Sequence, residues 1–95
     1  PTARHGVFVV ALGDAAWLES LKLVQELRLA GVRADADYRR RSMKAQLRFA
    51  DNESFAQAVI MGENEIASGI LGLKNLENGE QVEVPRVELL ERLTP

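Results

Sequence analysis

The chain has no cysteine and a single histidine. Without cysteine neither a disulfide nor a thiolate metal site can form. His5 stands alone in a polar lead, so a Ser-His-Asp arrangement or a nitrogen-rich zinc site cannot be built around it. No apolar run approaches the ~20 residues a membrane-spanning helix needs. No stretch joins a charged start, an apolar segment and a small-residue cleavage site. Phosphate-binding glycine signatures are missing as well. Leu12-Gly13-Asp14-Ala15-Ala16 joins a strand to a helix, yet it has neither G-x-G-x-x-G nor a P-loop lysine, and Asp14 stands where a phosphate would arrive. A phospho-acceptor receiver needs an aspartate after its third strand, where this chain has Met61-Gly62-Glu63. These absences leave no support for catalysis by this chain alone. They suit a cytoplasmic protein that does not enter a membrane.

Against these absences stands an ordinary apolar content. Ninety-five residues, 46% of them apolar, are enough for one domain with its own core. The domain is expected to fill residues 1–95, with residues 1–5 the remnant of a linker. Positive charge is concentrated. Arg33, Arg39, Arg40, Arg41, Lys44 and Arg48 are six of the twelve lysines and arginines and fall within sixteen positions, offset only by Asp35 and Asp37. From Phe49 onward there are three cations and nine carboxylates. A basic island in an acidic chain presents an anionic ligand to one face. A solvated helix start with scattered arginines accounts for the same charges.

Val7 to Leu12 is a continuous, β-branched apolar run and predicts a strand buried on both faces. Asp14 is placed to cap a helix whose stripe is Leu18, Leu21, Val24 and Leu27 and which Gly31 closes. Val32 to Tyr38 alternates as a half-exposed edge strand. Ser42 predicts the cap of a second helix to about Asp51, with Met43, Leu47 and Ala50 inward. Phe55 to Met61 is a third strand, and Glu63 to Ser68 a helical turn or loop stopped by Gly69. Ile70 to Leu76 and Glu80 to Val84 flank Asn78-Gly79, a hairpin signal. Pro85 opens a last helix with Val87, Leu90 and Leu93 on one stripe. The order β-α-β-α-β-β-β-α predicts an α/β domain with parallel crossovers, a central first strand and one antiparallel hairpin.

Two loops carry chemistry. Tyr38-Arg39-Arg40-Arg41-Ser42 offers guanidinium groups beside a helix start. Gly62-Glu63-Asn64-Glu65 offers carboxylates. Both leave the carboxyl ends of parallel strands, the rim where ligands bind in open α/β sheets. Cations for a backbone and acceptors for base edges suit single-stranded RNA, with Tyr38 available to stack. Exposed loop charges are the alternative. The pair Asp35 and Asp37 shares a strand face and is explained by alternating charges on an exposed edge.

At these residues the chain resembles the C-terminal anticodon-binding domain of class II aminoacyl-tRNA synthetases, the histidyl members above all. The matching pieces are Val7-Phe8-Val9-Val10 with Gly13, Glu26-Leu27-Arg28 with Ala30-Gly31-Val32, Asp37, Ser42-Met43-Lys44-Ala45-Gln46-Leu47, Gly62-Glu63-Asn64-Glu65, Gly69, and Leu73-Lys74-Asn75-Leu76 with Gly79-Glu80-Gln81. The resemblance implies a three-layer α/β/α fold with a five-stranded mixed sheet, order 2-1-3-4-5, strand 4 antiparallel. It implies recognition of the anticodon loop of histidine tRNA, with Glu65 and Lys74 facing bases, Glu63 beside them, and the loop from Asp37 through Tyr38, Arg39, Arg40 and Arg41 to Lys44 meeting the RNA. It places ATP and Mg²⁺ in an upstream class II catalytic domain, with no cofactor here, and implies a homodimeric parent enzyme whose isolated fragment is monomeric. The arginine triplet is more basic than the family pattern at that loop. The alternative from another class is a protein-interaction module of a synthetase-like accessory protein that charges no tRNA.

Overall fold

The computed structural model describes residues 3–94; Pro1 and Thr2 of the expected linker lie outside the described residues. The elements are β1 (Val7–Ala11), α1 (Asp14–Leu29), β2 (Ala34–Ala36), α2 (Met43–Asn52), β3 (Gln57–Met61), α3 (Glu63–Ser68), β4 (Ile70–Asn75), β5 (Gln81–Pro85) and, after a 3-10 turn at Arg86–Glu88, α4 (Leu89–Leu93). The strands form one sheet in the order β2-β1-β3-β4-β5. β1 runs parallel to β2 and β3, while β4 is antiparallel to both β3 and β5. β1 is apolar throughout because both its faces are covered, and Val7, Phe8, Val9 and Val10 are all buried.

The two faces are covered unequally. On one, Val7, Val9, Val59, Met61, Leu71 and Val84 pack beneath Leu23, Val24 and Leu27 of α1 and Leu89 and Leu93 of α4. On the other, Phe8, Val10 and Ala58 meet Ala50 of α2 and Phe55 just after it. The Phe8 ring lies 5.5 Å from Phe49 and 5.4 Å from Phe55, tilted to the first and edge-on to the second. α2 has ten residues, a rod of about 15 Å, and it lies over β1. β4 and β5 therefore keep one face open.

Several boundaries and stripes differ from expectation. Gly13, not Asp14, is the residue that precedes α1; Asp14 lies in its first turn. The docked stripe is Ala16, Ser20, Leu23, Val24 and Leu27, whereas Leu18 and Leu21 are exposed. Ala16 and Ser20 are fully buried, so the face of α1 that carries these small residues lies inward. Gly31 does close the helix: with φ at 85°, it donates to the Arg28 carbonyl while Val32 donates to that of Leu27, a Schellman arrangement. β2 shrinks to three residues because the chain turns at Asp37. In α2 Ser42 caps through Ala45 N–H as expected, yet Met43 is exposed and the buried residues are Gln46 and Ala50. Of the two readings of Glu63–Ser68, the helical one holds, and Gly69 ends it. The hairpin is closed by Asn75 and Glu80, so Asn78-Gly79 ends a four-residue loop whose amides at 77 and 78 are held by the Asn75 side chain. Pro85 finishes β5 instead of starting a helix, and Leu89 and Leu93 point inward while Val87 is exposed.

The segments flanking the sheet are tied to the body. Arg86 bonds Glu26 of α1 at 3.0 Å and Glu19 at 3.3 Å, fastening the turn after β5. His5 donates its backbone N–H to the Ser54 carbonyl, and Arg33 donates to the His5 carbonyl. Phe8→Ala should lower unfolding free energy by about 3–5 kcal/mol, measured from urea transitions, because its ring is the centre of the thinner core.

Candidate nucleic-acid interface

The arginine loop is built around a buried carboxylate. Asp37 is 6% exposed. Its Oδ2 accepts from the Arg41 backbone N–H at 2.8 Å, its Oδ1 from that of Arg39 at 3.4 Å, and the Arg41 guanidinium closes on it at 3.0 Å. The Arg41 guanidinium also lies 5.3 Å from the centre of the Phe49 ring. Burial raises the Asp37 pKa, but the hydrogen bonds from Arg41 and from the Arg39 amide outweigh it and hold the carboxyl below its usual 3.8. Arg40 sits at φ 54, a left-handed conformation, and its guanidinium pairs with Asp14. Tyr38 is exposed, its ring edge-on to Trp17 at 5.6 Å. Arg39 and Lys44 are exposed and take part in none of the ion pairs among the described residues.

The second loop lies on the same rim. Leu12 N–H bonds the Met61 carbonyl at 3.0 Å, so the turns after β1 and β3 run side by side. A methyl group at Gly13 would stand 3.4 Å from the Glu63 side chain. The Arg40–Asp14 pair and the Glu63–Glu65 segment thus flank one turn. Glu65 Oε1 accepts from the Gly62 N–H at 2.8 Å, capping α3. A Cβ at Gly62 would come within 2.9 Å of that oxygen, so a larger residue there would shift the Glu65 carboxylate.

Between this cap and the open half of the sheet lies a groove of about 600 Å³. Its walls include Asn64, Glu65, Met43 and Leu47, and its floor Ile60, Gly72 and Lys74. The register explains the floor. Ile60 pairs with Gly72 and Gly72 with Glu83; Ala58 pairs with Lys74 and Lys74 with Gln81. Leu71, Leu73 and Val84 belong to the opposite core, so Gly72, Lys74, Gln81 and Glu83 share the uncovered face. Glu65 and Lys74, expected together, line the same groove. Asp37 and Arg41 instead face each other and shape the loop, leaving Arg39 and Lys44 outward and Arg40 paired with Asp14. Sequence reasoning missed Asn64, Gly72, Gln81 and Glu83 as lining residues. Strand alternation held the signal, once the hairpin register was known. It also missed Gln46, which is polar yet 1% exposed. Among the described residues no group of three or more His, Cys, Asp or Glu side chains is placed to hold a metal ion, and no helix is long and apolar enough to cross a membrane.

A mixed sheet in this order, three layers and a half-open face define the anticodon-binding class of α/β domain. The chain belongs to the anticodon-binding domain family: the model of that family, described as "Anticodon binding domain", matches residues 6–94. It is 41% identical over 90 residues to the histidine–tRNA ligase of Symbiobacterium thermophilum, an alignment covering 95% of this chain and 21% of that protein. The solved structure of apo S. aureus histidyl-tRNA synthetase superposes with a TM-score of 0.91 at 30% identity, covering 96% of this chain and 27% of that one. The RNA-binding domain of threonyl-tRNA synthetase from Cryptosporidium parvum shares the fold, with a TM-score of 0.82 at 16% identity over 94% of this chain and 22% of that one. The chain thus spans about a fifth of the length of the curated relatives it matches.

In the unfolded chain Asp37 titrates near 3.8 and in the folded chain lower, so its contribution is complete above that value and fades as pH falls through the folded one. Asp37→Asn should cost about 1–3 kcal/mol at neutral pH. The gap from the unaltered chain should narrow below pH 3.8 when thermal unfolding is followed against pH.

Proposed function

We propose that this chain grips the anticodon loop of histidine tRNA as the C-terminal domain of a histidine–tRNA ligase. The observation that carries this reading is that Glu65 and Lys74, from a helix start and a strand, line one groove, together with Met43 at the start of the helix that follows the arginine loop. The histidine anticodon is GUG. Glu65 has one oxygen committed to the Gly62 N–H; the other accepts from a guanine edge. The Lys74 ammonium donates to a base carbonyl or a phosphate. Arg39, Arg40 and Lys44 meet the backbone, with Tyr38 exposed on the same loop and Glu63 beside Gly13 on the neighbouring turn. Phosphate contacts hold the strand in place and base contacts select it.

The charging reaction belongs to an upstream class II catalytic domain. ATP and Mg²⁺ act there, and this domain uses no cofactor. The parent enzyme is a cytoplasmic homodimer joined through that catalytic domain, so the isolated fragment is monomeric. The accessory-module alternative gains nothing from the relatives, which are named as charging enzymes.

The test is a titration of the chain with a stem–loop carrying GUG against one with a scrambled loop. The GUG loop should bind more tightly. With two to four phosphate contacts, log affinity should fall with log salt at a slope of about −1.5 to −3. Glu65→Gln keeps an oxygen for the Gly62 N–H but loses the charge, and should remove about 1–3 kcal/mol of discrimination, by analogy with bidentate base contacts. Arg39→Ala should weaken both loops alike. Equal binding of the two loops by the unaltered chain would end this reading.

A further inference from the structure

β2 stops at Ala36, opposite Val9, while β1 continues to Ala11. The backbone of Ala11 points toward the side β2 has left, as does that of Val7, whose N–H bonds the Arg33 carbonyl. Left alone, the Ala11 N–H and C=O would be unpaired at a partly buried strand end. Gln46 takes the place of the missing strand. Its Oε1 accepts from Ala11 N–H at 3.3 Å and its Nε2 donates to the Ala11 carbonyl at 3.1 Å. The same nitrogen donates to the Arg41 carbonyl at 2.6 Å. One buried amide therefore joins the end of the central strand to the last arginine of the loop.

We infer that Gln46 is a positioning residue for RNA binding, acting through the loop it holds and touching no RNA itself. This rests on the function proposed above. Asp37 holds the loop from inside and Gln46 from beneath, so Arg41 is turned inward and Arg39 is left projecting from a fixed backbone. The adjoining Arg40 is kept at a positive φ that a loose loop would abandon. A loop ordered before binding does not lose that freedom on contact with phosphates. The geometry thus makes a residue buried in the protein a determinant of how many phosphates the surface can engage.

Gln46→Met keeps the side chain's length and removes both polar atoms. The experiment compares the affinity of the 95-residue chain and this variant for the GUG stem–loop across a salt series, well below either melting temperature. The expected result is a several-fold weaker Kd and a slope shallower by roughly 0.7–1.4, one or two phosphate contacts. Arg39→Ala should then have a smaller effect in the Gln46→Met background than in the unaltered chain, because the two act through the same loop. If Gln46→Met does not fold, Asp37→Asn, which loosens the same turn from its other side, carries the same expectations. A folded variant with unchanged slope and an additive Arg39→Ala effect would overturn the assignment alone. Failure of the unaltered chain to bind either stem–loop would overturn the proposed function and this assignment with it.

Discussion

Among the described residues a ten-residue helix is the one helix that covers one face of a five-stranded sheet, and most of what the surface offers follows from that shortfall. Phe8, Phe49 and Phe55 concentrate the packing beneath α2 on and around β1. Past that cluster the sheet is bare, and its residues change character accordingly: Gly72 and Lys74 on β4, Gln81 and Glu83 on β5. The opposite face, closed by α1 and α4, carries leucine and valine at the alternate positions of the same strands. One face supplies the stability that lets the other remain open. Burial of apolar area is the main favourable contribution to folding, and here it is drawn mostly from one side.

The cations are sorted by their neighbours. Arg41 is drawn into the fold by the Asp37 carboxylate and the Phe49 ring, and Arg86 braces α1 through Glu19 and Glu26. Arg39, Lys44 and Lys74 enter no such pair among the described residues and stay available to a ligand. A run of three arginines that looks uniform in sequence is thus divided into a strut and contact groups. Two acids make the division: buried Asp37 must be paired and takes the Arg41 guanidinium, while Asp14 takes that of Arg40 and Arg39 enters no ion pair among the described residues.

Much of the architecture was legible. The continuous apolar run at Val7 marked a doubly covered central strand, the alternation from Val32 an edge, and Ser42 a helix cap, and each follows from local chemistry. Errors fell where packing overrides local pattern. Of the expected stripe Leu18, Leu21, Val24 and Leu27, the last two face inward, but at the start of α1 Ala16 and Ser20 took that side and left Leu18 and Leu21 exposed. Met43 gave way to Gln46 for the analogous reason in α2, because an unpaired strand end needed an amide more than it needed a thioether.

The order of residues alone pointed to parallel crossovers, a central first strand, an edge second strand and two loops on one rim, since strand and helix periodicity and the handedness of crossovers leave few other arrangements; the full sheet order was implied by the family resemblance. Only the tertiary structure decided which arginine turns inward, that Glu65 caps a helix while lining a groove, and that Gln46 completes a strand. Those outcomes depend on which backbone groups are left without partners when β2 ends early, a condition set by distances between segments far apart in the chain.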